Sequence, residues 1–176
     1  MYGAICGDII GSKFEFDRGG KTKDFELFTD EDRFTDDTAM TVAIAEGLMN
    51  AGKDAGTDDI KQAVIKSMRD WGHRYPNAGY DLSESLDDMR KRHKMIITCQ
   101  DSLPKALKSF FEGESYEDVV RNAVSLGGDT DTLGAIAGSM AEAFYGIPET
   151  IKTLGKSYLP NDMLEVLNKF DSSIQI

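Results

Sequence analysis

At 176 residues, with 40% apolar side chains and a mean hydropathy of −0.37, the chain is long enough for one domain with a real core, burying about two-thirds of its unfolded surface. A formal charge of −11 excludes a broad nucleic-acid surface, because no basic patch exists to release counterions, although a cation-lined pocket can still hold one anionic nucleotide. No leader-like or membrane-spanning apolar run stands out, and Cys6 and Cys99 lack metal-type spacing, so the expectation is a cytoplasmic protein with reduced thiols and no membrane partner.

In chain order, Gly3, Gly7 and Gly11 recur every four residues over 2–11, which on a helix lays a flat stripe along one side. Glycine costs about 1 kcal/mol against Ala inside a helix, so three of them point to a packing or site constraint. Asp8 lies in this stretch. The span 13–34 reads as a long loop in which acidic and basic residues alternate with Phe14, Phe16, Phe25 and Phe28; loops of this length are commonly lids or binding loops.

The next helix is predicted over 35–51, with Met40, Ile44 and Leu48 inward and Gly52 as its stop. Thr57 caps a third, whose face is Ile60, Val64, Met68 and Trp71, and which ends near Gly72 before Pro76. His73 reads as a helix-end cation, since no second His, Cys or carboxylate stands at chelating spacing. The run from Arg90 to Lys94 reads as a solvated basic helix end. A helix over 102–112, with Leu103, Ala106, Leu107 and Phe110 inward and Pro104 in its first turn, precedes Ser115-Tyr116-Glu117-Asp118, which resembles a capping box. Val119, Val120, Ala123, Val124 and Leu126 give the face of the helix that follows.

From Leu133 to Tyr145 nearly every residue is small or apolar, the mark of a helix buried on most sides, and this one is expected to be central. Its Gly134 and Gly138 suit a close approach to the Gly3-Gly7-Gly11 stripe. Two shorter amphipathic helices, around 149–158 and 161–170, complete the chain. No alternating strand pattern, internal repeat, Walker loop or Rossmann fingerprint occurs, so the fold class is all-α and any nucleotide site must come from elsewhere.

That elsewhere is a pair of oxygen-rich helix starts. Gly127-Gly128 turns the backbone and delivers Asp129-Thr130-Asp131-Thr132 to one first turn; far upstream, Thr35-Asp36-Asp37-Thr38 does the same. Either alone is ordinary capping. Together they hold more carboxylates and hydroxyls than two helix ends require, and packing them unpaired costs several kcal/mol unless a cation neutralises them. Carboxylate and hydroxyl oxygens without imidazole or thiolate suit Mg²⁺, Mn²⁺ or Ca²⁺. The chain is therefore expected to fold back so that the two starts meet.

Three motifs in order, Gly7-Asp8-Ile9-Ile10-Gly11-Ser12-Lys13-Phe14-Glu15, Thr35-Asp36-Asp37-Thr38 and Leu126-Gly127-Gly128-Asp129-Thr130-Asp131-Thr132, resemble those of the ADP-ribosylglycohydrolases. The resemblance implies a single domain over 1–176, an orthogonal helical bundle of that type. It further implies two Mg²⁺ ions, with Mn²⁺ as the substitute, in a cleft formed by Thr35, Asp36, Asp37, Asp129, Asp131 and Thr132. Glu15, on a mobile loop, Asp36 and Asp131 would be catalytic, and Asp8, Gly127, Gly128 and Asp129 would contact substrate, an ADP-ribosylated protein or small molecule.

The chain departs from the family between Tyr80 and Arg90, where relatives carry several further helices and an Asn-Gly loop that contacts adenosine; no Asn-Gly occurs here. Metal binding is thus expected more firmly than hydrolysis. A second copy covering the exposed apolar surface, giving a homodimer, or a shallower pocket would answer the omission. The alternatives to a hydrolase are a noncatalytic metal or ADP-ribose binder, a structural protein, and a Mg²⁺-dependent phosphohydrolase.

Overall fold

A computed structural model describes residues 1–17, 21–79 and 99–174. Among them all long regular structure is helical: α1 (Tyr2–Ser12), α2 (Asp36–Ala51), α3 (Thr57–Arg74), α4 (Cys99–Phe111), α5 (Tyr116–Ser125), α6 (Thr130–Tyr145), α7 (Glu149–Ser157) and α8 (Asn161–Ile174), with one 3₁₀ turn at Glu15–Asp17. The all-α expectation holds. The basic run at 90–94 and the departure from the family pattern at 80–90 lie outside the described residues.

The molecule is built on the pair α1 and α6. Gly3, Gly7 and Gly11 face Gly138, Gly134 and Thr130 so closely that a Cβ on any of the three α1 glycines would overlap backbone of α6. The same pair is tied at one end by the Gly3 N–H donating to Glu142 Oε2 (2.9 Å), where the buried Tyr116 hydroxyl of α5 also donates to the Gly3 carbonyl (2.8 Å). At the other end the Thr130 hydroxyl donates to the Gly11 carbonyl (2.8 Å). Two apolar clusters flank this pair. One joins Tyr2, Ile5 and Ile9 of α1 to Val42 of α2, Trp71 of α3 and Met163 of α8; the other joins Cys6 and Ile10 to Val119, Val120 and Ala123 of α5 and Leu133 and Ala137 of α6. The central position expected of α6 alone is shared with α1, whose residues are nearly all buried.

Several predicted faces are rotated. On α2 the buried residues are Thr38, Ala39, Val42, Ala43, Ala45 and Gly47, whereas Ile44 and Leu48 are exposed. A helix that must approach α1 and α3 closely turns its small side chains inward, whatever its longest apolar stripe suggests. On α3 Trp71 is buried and Met68 is not; on α4 Ala106 is buried and Leu103 is not; Leu126, after α5, is also exposed. Helix α4 begins at Cys99, so Pro104 stands inside it instead of in its first turn. The last turn of α6 leaves the core, and Phe144 and Tyr145 form an exposed aromatic cluster with Phe110.

The connection after α1 is long and irregular, as expected, and its described part is firmly anchored. Lys13 Nζ donates to the Glu26 carbonyl (2.8 Å) and Thr29 Oγ1 (3.3 Å) and pairs with Asp32 (3.4 Å). Arg121 donates to the carbonyls of Lys23 (2.8 Å) and Phe25 (2.6 Å) and lies over the Phe25 ring. Phe28 stacks on Tyr158. No helix of the described residues is long and apolar enough to cross a membrane.

Candidate metal centre

Helix α2 starts at Thr35, whose extended backbone (φ −118°, ψ −167°) makes it the N-cap; its hydroxyl accepts from the Asp37 N–H (3.3 Å). The other orphan donors of this helix start are met from across the interface. Asp8, fully buried on α1, accepts from the Thr35 N–H (3.0 Å), the Thr35 hydroxyl (2.6 Å), the Thr38 N–H (3.2 Å) and the Thr38 hydroxyl. One carboxylate thereby caps a helix from a different helix, locking the TDDT segment against α1.

Helix α6 starts after two left-handed glycines, Gly127 (φ 72°) and Gly128 (φ 80°), a backbone path that side chains with a Cβ rarely follow. Asp129 stands at the N-cap and makes no capping bond with its own carboxylate. Thr130 is turned back onto α1. Asp131, 4% exposed, accepts from the Thr132 N–H (2.9 Å), and the Thr132 hydroxyl donates to Asp37 Oδ2 (2.9 Å). That last bond joins the two helix starts, so the chain does fold back on itself as the sequence anticipates.

A third segment completes the cluster. Phe16 adopts a left-handed conformation (φ 59°, ψ 35°), the single such non-glycine residue among those described, and its N–H donates to the Gly128 carbonyl (2.9 Å). A conformation that costs a bulky residue of order 1–3 kcal/mol persists only where its surroundings hold it. Here it reverses the chain just after Glu15 and delivers that carboxylate to the α6 start.

The result is two carboxylate triads, Asp8–Asp37–Asp131 and Glu15–Asp129–Asp131, each with one oxygen per residue within 4.8 Å of the others. Asp131 belongs to both. The electrostatics follow from burying like charges together. Asp131 is pushed up to about 9 by burial, by a hydrogen bond with Asp129 and by the charge of Glu15. Burial lifts Asp8 to about 7 against the opposing pull of its Thr35 and Thr38 bonds. Asp37 is raised by burial and by the charges of Asp36 and Asp129, and Asp36 by burial and the charge of Asp129. Carboxylates so disfavoured as anions are what a divalent cation relieves, and an all-oxygen donor set fits a hard ion such as Mg²⁺ or Mn²⁺.

Of the six residues expected to hold metal, Asp37, Asp129 and Asp131 stand in the triads. The hydroxyls of Thr35 and Thr132 stand beside the triads and donate to Asp8 and Asp37, and Asp36 lies close to Asp129 and to the backbone at Gly79. Two members come from other expected roles: Asp8, expected at the substrate, and Glu15, expected at the scissile bond. The signal for Asp8 was available, since on a helix it follows Gly7 by one residue and so borders the stripe along which α6 packs. His73 lies in the exposed last turn of α3 and stands in neither triad, and His93 lies outside the described residues.

The chain matches the sequence profile of the ADP-ribosylglycohydrolase family in two overlapping pieces, residues 1–95 and 81–173. The first carries Asp8, Glu15 and Asp37, the second Asp129 and Asp131. A protein of Archaeoglobus fulgidus, itself uncharacterized, is 27% identical over 120 residues, a match covering 63% of this chain and 37% of that protein. The match thus spans well under half the length of that relative. No solved structure matches.

Proposed function

The chain belongs to the ADP-ribosylglycohydrolase family, and from that membership we propose a magnesium-dependent hydrolase that cleaves the N- or O-glycosidic bond of an ADP-ribosylated substrate and releases ADP-ribose. The observation that carries the metal half of this reading is the sharing of Asp131 between two carboxylate triads. Asp8, Asp37 and Asp131 would hold one cation and Glu15, Asp129 and Asp131 a second. Bound cations supply charge neutralisation and Lewis-acid contacts to the hydroxyl and phosphate oxygens of the ligand.

The protein's own groups account for the rest. Glycoside cleavage develops positive charge on the ribose ring, and a carboxylate-lined, partly buried cleft favours that charge where an imidazole or ammonium would oppose it. Glu15 reaches the cleft from the 3₁₀ turn and is the group to take the proton of the attacking water. The water oxygen bonds to the anomeric carbon as the bond to the modified group breaks, and Glu15 passes the proton it took from the water to the leaving atom. Asp36, partly buried and near Asp129, would orient a ribose hydroxyl. Gly127 and Gly128 let the backbone approach the ligand without side-chain interference.

The lack of any Asn-Gly pair in the chain favours a second reading, a family member that binds ADP-ribose or metal without turnover. One experiment separates the two. The purified protein is incubated with ADP-ribosylated arginine and serine peptides, with Mg²⁺ and with the metal chelated, and free ADP-ribose is measured. Metal-dependent release that is lost in Glu15→Gln supports the hydrolase. Metal-dependent binding of ADP-ribose with no release from any substrate supports the binder. Neither binding nor release from a folded protein would overturn both.

A further inference from the structure

A cavity of about 330 Å³ opens beside the start of α2, lined by Arg33, Phe34, Arg74, Tyr75, Pro76, Asn77 and Ala78, a volume in the range of small-molecule sites. Its walls are ordered by contacts among themselves. Tyr75 meets Phe34 edge to face (5.4 Å between centroids) and stacks on the buried Trp71 (5.7 Å). The Tyr75 hydroxyl donates to Asp162 Oδ1 (2.6 Å), and Arg74 lies over Trp71 while donating to Asp162 Oδ2 (3.1 Å). Arg74 is therefore half-neutralised. Arg33 is different: among the described residues no carboxylate pairs with it, in a chain whose formal charge is −11.

The cavity adjoins the helix start that carries Asp36 and Asp37. Arg33 and Phe34 run directly into Thr35-Asp36-Asp37, and at the far end of the lining segment a Cβ on Gly79 would stand 3.0 Å from Asp36 Oδ1. Aromatic faces beside a free guanidinium are the recognition elements of a nucleobase and its phosphate: rings stack on every base, and arginine matches phosphate geometry with paired donors.

We propose that this cavity receives the nucleoside 5′-monophosphate half of the substrate, its base against Phe34 and Tyr75 and its phosphate on Arg33, while the carboxylate centre handles the distal ribose. The assignment rests on the ADP-ribosyl reading of that centre. It also gives this chain a nucleotide pocket built from the 33–34 and 74–78 segments, where the adenosine-contacting Asn-Gly loop of relatives has no counterpart in its sequence.

AMP is the probe, and Trp71, the only tryptophan in the chain, is the reporter, since it stacks on a wall of the cavity. Titration is followed by its fluorescence and by calorimetry, with Mg²⁺ and with EDTA. The expected result is saturable AMP binding that EDTA leaves unchanged, that ADP-ribose competes away, and that weakens at least tenfold in Arg33→Glu and by a smaller factor in Arg33→Lys, which keeps the charge and loses the paired donors. Arg33 is exposed, and circular dichroism and melting temperature verify that both variants fold. Absence of saturable AMP binding, or equal affinity of Arg33→Glu and wild type, overturns the pocket. Intact AMP binding in a protein that neither binds ADP-ribose through metal nor hydrolyses any substrate brings down the reading of the centre and leaves the pocket standing. Hydrolysis with an unchanged KM in Arg33→Glu does the reverse.

Discussion

Gly7 and Gly134 meet backbone to backbone: a Cβ on Gly7 would overlap the Gly134 carbonyl, and one on Gly134 would overlap that of Gly7. This approach sets the distance between α1, which carries Asp8, and α6, which carries Asp131. Gly7→Ala is expected to force the helices apart, with a loss of about 1–3 kcal/mol from overpacking. Because the displaced pair holds one carboxylate on each side, the same variant should lose metal-dependent ADP-ribose binding. A thermal melt and a titration of one sample read both effects; unchanged metal affinity in a destabilised Gly7→Ala would detach the stripe from the site.

Asp131→Asn removes the residue common to both triads. Metal-dependent ADP-ribose affinity should fall by about 100-fold or more, since even outer-shell changes at metal sites reach that range. Its stability in chelator should stay close to that of wild type at neutral pH, because a carboxyl raised to about 9 is already neutral there and an amide can keep its hydrogen bond with Asp129. Asp36→Asn is expected to weaken the metal-dependent binding too while leaving the helical content intact. Equal affinity of both variants and wild type would sink the site.

Asp8 carries two separable jobs, and two substitutions divide them. Asp8→Ala leaves the Thr35 and Thr38 donors without their acceptor and should cost about 3 kcal/mol, measured by denaturant unfolding. Asp8→Asn can keep its oxygen toward Thr38 and the Thr35 N–H, with the Thr35 hydroxyl rotating to accept, and should cost under about 1 kcal/mol. Metal affinity is expected to drop in both. A near-native metal response in Asp8→Asn would leave the residue with the capping role alone.

The pH dependence of the metal-free protein follows from the direction of the shifts. Asp8, Asp36, Asp37 and Asp131 all lie above the ordinary carboxylate value in the folded state, so the folded chain binds more protons than the unfolded one. Stability in chelator should therefore be greatest at mildly acid pH and decline as pH rises from about 4 toward 9. With Mg²⁺ present the decline should shrink, so the metal-induced rise in melting temperature grows with pH. Scanning calorimetry in EDTA and in Mg²⁺ across that window tests it; a metal-free protein that gains stability toward pH 9 would contradict the electrostatics of the centre.

Phe16 holds Glu15 in place through a left-handed backbone. Phe16→Gly adopts that conformation freely and should keep hydrolysis near the wild-type level, whereas the β-branched Phe16→Val disfavours it and should lower kcat more than metal affinity. Equal turnover in Gly and Val variants would show that the turn does not position the carboxylate.

Much of the site was legible in the sequence because its ingredients are local. The helix starts at Thr35 and Asp129 follow from capping chemistry, the Gly3-Gly7-Gly11 stripe from helical periodicity, and the hard-cation preference from the absence of His and Cys beside the acidic clusters. What stayed hidden is what one turn of helix cannot specify. Successive side chains on a helix point about 100° apart, so which of Thr35, Asp36 and Asp37 faces the cleft depends on how α2 crosses α1, and that crossing turned Thr35 to Asp8 and Asp37 to Thr132.

The sequence by itself determined the all-α class, the meeting of two acidic helix starts and the kind of ion they suit, since periodicity, caps and ligand chemistry are written residue by residue. Tertiary structure decided that Asp8 and Glu15 stand in triads that share Asp131, that Ile44 and Leu48 face outward, and that Arg33 and Tyr75 share a cavity at the start of α2. Each of these depends on contacts between segments far apart in the chain, where the distance of helix approach and the strained turn at Phe16 choose among orientations that local pattern leaves equivalent.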